Sequence, residues 1–390
     1  STPAANVGRS RSTRKSGVTV AITGAAGVIG HMLIDYLAER PEVGDPDALV
    51  TVVAPDARLS QATSSQVSKI IGIDVRRGDS DKVTWRIGDV RDPALAKRLG
   101  GVDVVIHLAV DWSLDTPSAE RTALNVRGTQ TVVTAAAAAG VGRVVLVTSC
   151  SVYGALAENP IPLAEDAPLM APPEGLQADL LEMERIAVQA RRVHPGLDVV
   201  VVRPAALVGP GVDTVVTRHF AAPLLLAIRD TSPTWQFCHV HDLCSALEYA
   251  ALGRVSGSVT CGSDGFLTQQ RVEELTGLKR VELPESVAMA TAQRLHRLGL
   301  TPAPASELTY VMHPLVVSSS QLRSAGWRPM FDNETNVRAL VEDVRSARAL
   351  AGRRLGGRDA AVAGASAAGA TVAVLGAAAF VRAARKARGR

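Results

Sequence analysis

The sequence predicts an α/β fold built on a doubly wound parallel sheet, and two observations lead to this prediction. Short apolar runs rich in Val and Ile alternate with longer segments of helical periodicity over residues 18–204. Such nearly continuous apolar runs are typical of parallel strands, which are buried on both faces. The chain of 390 residues is also 47% hydrophobic and only 21% charged, which is enough apolar material for a large core. Alternating strands and helices then favour right-handed crossovers within one sheet.

The pattern predicts six strands and four helices before it becomes irregular. The strands are predicted at Val18–Thr23, Leu49–Ala54, Val83–Ile87, Val102–Ala109, Val144–Ser149 and Val199–Arg203. The helices are predicted at about residues 28–40, 118–139, 176–192 and 216–229. Beyond about residue 204 the chain is rich in Pro and Gly, which predicts a smaller C-terminal capping region over the carboxyl edge of the sheet.

A glycine-rich loop follows the first predicted strand directly. It reads Gly24-Ala25-Ala26-Gly27-Val28-Ile29-Gly30, and a helix begins within it. In such a loop the first glycine permits a tight turn, Gly27 lets the backbone approach a pyrophosphate, and Gly30 lets the helix pack on the strand. The helix N-terminus offers N–H groups and a positive dipole end to the phosphates. Because strand, loop and helix occur in the required order, the loop predicts a Rossmann-type dinucleotide-binding domain.

The end of the second predicted strand bears on which dinucleotide binds. The sequence there is Val53-Ala54-Pro55-Asp56-Ala57-Arg58. An acid at this place binds a ribose 2′-hydroxyl and favours NAD, whereas a nearby Arg accommodates the 2′-phosphate of NADP. Asp56 therefore favours NAD, Arg58 leaves NADP open, and a solvated loop residue is an equal alternative for Asp56.

Composition and charge argue against several other classes of protein. Aromatic residues make up only 3% of the chain, and the net positive charge lies in the two tails while the body between them is acidic, so no nucleic acid is expected as a partner. The four cysteines form no C-x-x-C pair and are expected to be reduced thiols in a cytoplasmic protein; they are Cys150, Cys238, Cys244 and Cys261. No apolar segment follows the basic start, so a secretory signal is not expected.

The C-terminal tail, residues 351–390, is rich in Ala, Gly and Arg. Residues 360–381 are uncharged and lie between clusters of arginines. This segment is long enough to span a bilayer, but its many Ala and Gly residues make insertion marginal. The sequence leaves open a soluble tail or a peripheral, salt-sensitive contact with a membrane surface.

Nine segments resemble landmarks of the extended short-chain dehydrogenase/reductase family, over about residues 18–345. They are Thr23-Gly24-x-x-Gly27-x-x-Gly30, Gly88–Asp92, His107–Ala109, Asn125–Thr129, Ser149–Gly154, Arg203–Ala205, Val208–Gly211, His239–Leu243 and Gly326–Pro329. The family holds NAD-dependent sugar-nucleotide epimerases and dehydratases and enzymes similar to 3β-hydroxysteroid dehydrogenase. The resemblance therefore implies a dinucleotide cofactor, NAD or NADP, and a small substrate such as a nucleotide sugar or a steroid, and it leaves a homodimer open.

The loop and the resemblance together assign domains and cofactor contacts. The expected domains are a disordered basic tail over 1–16, the NAD(P)-binding domain over 17–204, the capping region over 205–350 and the tail over 351–390. The residues implied to contact the cofactor are Thr23, Gly24, Gly27, Val28, Ile29, Gly30, Asp56, Arg58, Asp89, Val90, Leu108, Ala109, Asn125 and Pro204.

The sequence departs from the family at its catalytic pair, a Tyr and a Lys four residues apart on the helix after the Ser segment. Aligned on Glu184 and Arg185, the Tyr position is Leu176 and the Lys position is Leu180. No Tyr occurs between residues 153 and 249, and no Lys between residues 97 and 279, so a shifted alignment cannot restore the pair. Ser149 is then the remaining catalytic candidate. The sequence predicts an NAD(P)-binding protein without the standard Tyr/Lys chemistry; the alternative is an active oxidoreductase or epimerase that uses Ser149 and a non-standard acid/base.

Several other side chains receive ordinary interpretations. Tyr153 is a weaker candidate for a replacement acid, since its pKa would stay near 10 without a Lys beside it. His107 is expected to be structural or to lie beside the cofactor. The acids Asp179, Glu182 and Glu184 are expected on a solvated helix face. The segment Cys238–Cys244 contains metal-ligand residue types, but its spacing fits no template, so packing near a helix start is expected and no metal is assigned.

Overall fold

The computed structural model describes residues 17–39, 66–222, 224–301 and 303–354. Its centre is a parallel sheet of seven strands in the order β3-β2-β1-β4-β5-β6-β11. The strands of this sheet are β1 (Val18–Thr23), β2 (Val67–Asp74), β3 (Thr84–Ile87), β4 (Val104–His107), β5 (Arg143–Val147), β6 (Asp198–Pro204) and β11 (Ser258–Cys261). Six of them have the order of a doubly wound Rossmann sheet. The predicted fold class is confirmed.

Helices cover both faces of this sheet. On one face, α1 and α6 pack with the sheet around a core that includes Leu33, Ile34, Leu243 and Leu247. On the other face, α3 and α4 pack around a second core that includes Val132, Val133 and Ile186. The helices are α1 (Val28–Ala38), α2 (Ser118–Thr122), α3 (Thr129–Ala138), α4 (Gly175–Val193), α5 (Val215–Ala221), α6 (Val240–Ala251), α7 (Gln269–Thr276), α8 (Glu285–Arg297), α9 (Ser320–Ser324) and α10 (Asn333–Arg354).

The C-terminal elements build a third core beside the carboxyl edge of the sheet. Phe220, Trp235 and Phe237 pack edge to face at its centre. Three pairs of short strands support it: β7 (Ala206–Val208) with β10 (Phe237–His239), β8 (Leu225–Ile228) with β13 (Arg280–Leu283), and β9 (Thr234–Trp235) with β12 (Leu267–Thr268). Two elements that follow residue 204, α6 and β11, belong instead to the layers of the central sheet.

The strand beside β1 differs from the predicted one. It is β2, which pairs with β1 in parallel from Val18↔Val67 to Thr23↔Ile73. The predicted second strand, Leu49–Ala54, lies outside the described residues, as do Asp56 and Arg58. Strand β2 itself was not predicted, because the exposed Ser68 and Lys69 near its start shorten its apolar run.

The predicted helix over 216–229 is correct only in its first half. Helix α5 ends at Ala221, and the apolar residues Leu225–Ile228 form β8, which pairs with β13. A short apolar run fits a helix or a buried strand equally well, and here the partner strand lies far along the chain. The edge strand β11 was also missed.

No helix within the described ranges is both long and apolar enough to cross a bilayer. The segment 360–381 and the tail 1–16 lie outside those ranges.

Candidate functional site

A cavity of about 380 Å³ lies at the carboxyl ends of the central strands. Ligands of open α/β sheets bind at this edge, where the order of the strands reverses. The segments that line the cavity are the Gly24–Gly30 loop, Thr148–Ser151 after β5, the start of α4, Pro204–Leu207, Gly211–Val216 and the turn that holds Glu307 and Tyr310.

The geometry of the glycine loop leaves no room for side chains at its first and third glycines. Gly24 has φ +67°, and a Cβ there would lie 2.7 Å from the backbone nitrogen of Ala109. A Cβ on Gly30 would lie 2.3 Å from the carbonyl oxygen of Gly24. These glycines allow the turn and the packing of α1 on β1, as the sequence predicted.

Gly27 differs from the other two glycines because a Cβ there would meet one atom only among the described residues, and at a longer distance. Its only near neighbour would be the carbonyl oxygen of Gly24, at 3.2 Å. Gly27 is the N-cap residue of α1, and the first turn of α1 contains no acidic residue. The first N–H groups of a helix have no partner within the helix. The loop therefore fits a pyrophosphate that approaches its backbone at the N-terminus of α1.

Asp74, the last residue of β2, lies beside this loop. Its Oδ2 accepts a hydrogen bond from the backbone N–H of Ala26 at 3.0 Å. An acid at the end of the strand next to β1 is the position that contacts the adenosine ribose in Rossmann domains. From the sequence this role was assigned to Asp56, which lies outside the described residues. Two exposed arginines, Arg76 and Arg77, follow Asp74.

Ser149 lies at the end of β5 and lines the cavity. Its Oγ accepts a hydrogen bond from the N–H of Ser151 at 3.1 Å and so caps the short 3₁₀ turn Cys150–Tyr153. Ser151 in turn donates from its Oγ to Oε1 of Gln177 at 2.9 Å. These residues place hydroxyl groups along one wall of the cavity.

Leu176 and Leu180 both line the same cavity. Leu180 is fully buried and packs with Val152 and Met183, and Leu176 is half-buried at their side. Helix α4 therefore points hydrocarbon into the cavity at the two positions where the resemblance implies a Tyr and a Lys. Neither side chain can exchange a proton or bind a ribose hydroxyl.

The expectation of a solvated acidic face on α4 is wrong for two of its three residues. Asp179 is buried and pairs with Arg121, whose Nε lies 2.9 Å from Oδ2, and it also accepts from Thr122 and Asn125. Glu184 is buried and pairs with Arg203 at 2.8 Å. The partners lie 58 and 19 residues away, so helical periodicity could not reveal them. Glu182 is the more exposed one and bonds with Arg185 on its own helix.

Asn125 is fully buried and connects α4 with the loop after β4. Its Oδ1 accepts from the N–H of Asp111 at 2.7 Å, and its Nδ2 donates to the carbonyl oxygen of Asp111 and to Asp179. It lies in a π-helical turn, Ala123–Gly128, which joins α2 to α3. The position holds the loop in place next to the cavity.

His107 and Tyr153 have structural partners. The ring of His107 lies between the hydroxyls of Thr23, at 2.7 Å, and Thr129, at 3.1 Å, and burial lowers its pKa to about 4. The hydroxyl of Tyr153 donates to the carbonyl oxygen of Glu165 at 2.7 Å and accepts from Arg203. Burial raises the pKa of Tyr153 above its usual value. Tyr153 does not line the cavity, which argues against it as the replacement acid.

Glu307 is a cavity residue that the sequence analysis missed. It is only 4% exposed, and its Oε1 lies 3.5 Å from Nε2 of Gln177. Burial raises its pKa to about 7. Within the described part of the chain no Lys, Arg or His forms an ion pair with it. Nothing in the sequence could show this contact, since Gln177 lies 130 residues away.

The segment Cys238–Cys244 packs in the core without a metal-site arrangement. The sulfurs of Cys238 and Cys261 lie 3.4 Å apart, and Asp242 accepts from the backbone N–H groups of Met330 and Phe331. Asp242 lies in the first turn of α6, as predicted. Among the described residues no three His, Cys, Asp or Glu side chains are grouped to hold a metal, and all four cysteines are buried and free.

Half of the fourteen residues in the predicted cofactor set line the cavity, and two others, Asp56 and Arg58, lie outside the described residues. Those in its lining are Gly24, Gly27, Val28, Ile29, Gly30, Leu108 and Pro204, together with Ser149. Those outside the lining are Thr23, Asp89, Val90, Ala109 and Asn125. Asp89 forms an ion pair with Arg91, which lowers the pKa of its carboxyl.

The chain matches known proteins over most of its length. Residues 20–259 match the NAD dependent epimerase/dehydratase family. An uncharacterized protein of Mycobacterium tuberculosis is 28% identical over 352 residues, which cover 86% of this chain and 89% of that one. A dTDP-glucose 4,6-dehydratase of Streptomyces antibioticus is 31% identical over 271 residues, 66% of this chain and 75% of that one.

Among solved structures, the fold is similar to that of a dTDP-glucose 4,6-dehydratase from Streptomyces venezuelae with NAD bound. The TM-score is 0.59 at 22% identity, and the match covers 85% of this chain and 98% of that one. At this level of identity the similarity concerns the fold.

Proposed function

Since this chain belongs to the NAD dependent epimerase/dehydratase family, we propose that it binds NAD at the Gly24–Gly30 loop and lacks the usual Tyr/Lys acid-base pair. The observation that carries this proposal is that the glycine loop and the two leucines, Leu176 and Leu180, line one cavity. The backbone fits a dinucleotide, while α4 offers no proton donor beside it. The domain boundaries expected above are part of the same proposal.

Each part of the dinucleotide has residues of this chain to hold it. The N–H groups at the start of α1 bind the pyrophosphate, and Asp74 binds the adenosine ribose in place of Asp56. Asp89 and Val90 lie on the adenine side, and Leu108, Pro204 and Ser149 on the nicotinamide side. When bound, NAD supplies an acceptor for hydride.

The consequence for chemistry is a loss of general acid-base help. Ser149 can donate a hydrogen bond to a carbonyl or an alcohol, but leucines at 176 and 180 cannot take or return the proton that hydride transfer requires. General acid-base catalysis is worth about 10²–10⁴-fold in rate. Turnover by the standard mechanism is therefore expected to fall by at least that factor.

A second candidate function is active hydride transfer with a non-standard acid/base, and Glu307 favours it. This carboxyl lines the cavity, and its pKa of about 7 suits a group that gains and loses a proton near neutral pH. The substrate classes for either function are those named above, a nucleotide sugar or a steroid.

The test of cofactor binding is a titration with NADH of the wild type and of Gly27→Val. A valine side chain would occupy the space beside the loop, so we expect about a hundredfold or greater loss of affinity with the fold retained, about 2.7 kcal/mol. Gly196→Val is the matched control, because a Cβ at Gly196 would meet no atom within 4 Å. Equal affinity of Gly27→Val and the wild type would show that the loop holds no phosphate.

The test of chemistry is NADH oxidation with a keto-steroid, and conversion of UDP-glucose and dTDP-glucose with NAD⁺ present, since their alcohols can donate a hydride but not accept one. Slow or absent turnover supports the first proposal. Fast turnover that Ser149→Ala abolishes would refute it, and additional loss in Glu307→Gln with unchanged NADH affinity would establish the second candidate.

A further inference from the structure

The part of the cavity beyond the glycine loop is mainly apolar. Its walls come from the loop after β4, from α4 and from the C-terminal core. The apolar side chains that form these walls include Trp112, Leu114, Leu176, Val216, Trp235 and Leu315. Trp235 is buried, and it packs against Phe220 in the C-terminal core.

The described lining of this region offers no positively charged side chain. Among the described residues that line the cavity there is no Lys, Arg or His, and the two acids are Asp213 and Glu307. The diphosphate of a nucleotide sugar carries two negative charges, which proteins bind with Arg, Lys or open helix N-termini. A diphosphate in this part of the cavity would therefore face carboxylates and hydrocarbon.

The nearest cations are already engaged. Arg218 bonds with Asp213 and Asp115, and Arg121 bonds with Asp179. At the N-terminus of α5, a helix of seven residues, the side chain of Thr214 accepts from the N–H of Thr217 in a capping box. To bind a phosphate here, Arg218 or Arg121 would have to give up a carboxylate partner.

Polar groups concentrate at one end of this apolar region. Glu307 contacts Gln177, Gln177 accepts from Ser151, and the hydroxyl of Tyr310 donates to the carbonyl oxygen of Ser151 at 2.8 Å. A buried carboxyl without an ion pair is costly unless hydrogen bonds compensate for lost water. A hydroxyl or keto group of a ligand would supply such a bond to Glu307, in its ionised or its protonated form.

We propose that the ligand bound beside the dinucleotide is an uncharged, largely apolar alcohol or ketone whose oxygen contacts Glu307, and that nucleotide sugars are excluded. This inference rests on the proposed function, because the apolar region continues from the proposed cofactor site. It chooses between the two substrate classes that the family resemblance left open.

The experiment is a binding titration on the full chain with NAD⁺ present, in which tryptophan fluorescence is the signal. The probes are progesterone (a keto-steroid) and farnesol (an isoprenoid alcohol), against UDP-glucose and dTDP-glucose. Trp112 and Trp235 line the cavity and report on its occupation. We expect saturable binding of at least one apolar probe and none of the nucleotide sugars at the same concentrations.

Three variants sharpen the result. Val216→Arg places a charge in the apolar wall and is expected to lower the affinity for the apolar probe at least about tenfold. Glu307→Gln is expected to weaken binding of the apolar probe about tenfold, because it alters the hydrogen bond to the oxygen of the probe. Glu182→Gln, on the outer side of α4, is expected to leave the affinity for the probe unchanged. None of the three is expected to change the affinity for NADH.

Tighter binding of UDP-glucose or dTDP-glucose than of both apolar probes would overturn the proposal, as would the absence of saturable binding of either apolar probe. Binding of an apolar probe by a chain that fails to bind NADH would support the ligand class and reject the proposed function. The two proposals can therefore fail separately.

Discussion

The two sides of the cavity differ in what they require of the sequence. On the loop side, Gly24 and Gly30 are fixed by backbone geometry, since a Cβ at either would collide with main-chain atoms. On the α4 side, Leu176 and Leu180 bring hydrocarbon into the cavity at the positions where the family resemblance implies a Tyr and a Lys. The comparison teaches that cofactor binding in this fold depends on the course of the backbone, whereas the chemistry depends on a few side chains that can change without altering it.

Helix α4 shows the same contrast within nineteen residues. The buried acids Asp179 and Glu184, which face away from the cavity, have cationic partners, while the cavity positions carry hydrocarbon. Glu307 is the exception, a buried carboxyl at the cavity with no ion pair in the described part of the chain. We call the two paired acids of α4 the structural kind and Glu307, on which the second candidate function relies, the functional kind.

The largest expected effect comes from breaking an ion pair of the structural kind, the one between Glu184 and Arg203. Glu184→Ala leaves the guanidinium of Arg203 buried without its carboxylate, and we expect the free energy of unfolding to fall by about 3–5 kcal/mol. Urea denaturation measures it, and Glu182→Ala on the same helix serves as the control, with a change within about 0.5 kcal/mol. Equal changes in the two variants would show that the ion pair between Glu184 and Arg203 is not structural.

A second effect comes from Glu307, the carboxyl of the functional kind, and depends on pH. The pKa of Glu307 is raised by burial from 4.5 to about 7, so the folded chain binds the proton more tightly than the unfolded chain. The free energy of unfolding then falls as the pH rises from 4.5 through 7, by up to about 3 kcal/mol from this one group.

Glu307→Gln removes this titration. We therefore expect the free energy of unfolding of the variant to rise relative to that of the wild type as the pH rises from 4.5 to 7. Urea denaturation at each pH measures both values. Parallel curves from pH 4.5 to 8 would contradict a raised pKa at Glu307.

The smallest expected effect concerns the loop side. Asp74→Ala removes the carboxylate beside Ala26, and we expect NADH affinity to fall about tenfold, 1.4 kcal/mol, with a smaller loss for NADPH because Arg76 and Arg77 remain. Fluorescence titration with the two dinucleotides measures the difference. Equal losses for both would mean that Asp74 acts on the loop backbone and not on the ribose.

Local sequence was sufficient where the signal was local. Strand β1 and the glycine loop follow from an apolar run and three glycines, and the structure has β1 at the predicted residues. The start of α1 at Val28 follows equally from the loop. Leu176 and Leu180 were placed by their spacing from Glu184, and both line the cavity.

The rest required contacts between residues far apart in the chain. Strand β2 was missed because pairing with β1, and not its own mixed sequence, makes it a strand. Asp179 looked solvated because its partner Arg121 lies on another helix. Glu307 acquires its burial and its raised pKa from the cavity that α4 and the C-terminal core enclose, which no window of sequence contains.

The most direct test of the central claim is a stopped-flow record of NADH fluorescence. The full chain is mixed first with NADH and then with progesterone, whose keto groups can accept a hydride. A saturable rise on the first mixing, followed by no fast decay on the second, is the result expected of a dinucleotide site without a Tyr/Lys pair. Absence of the rise would contradict the cofactor site, and a fast decay would contradict the loss of acid-base chemistry on α4.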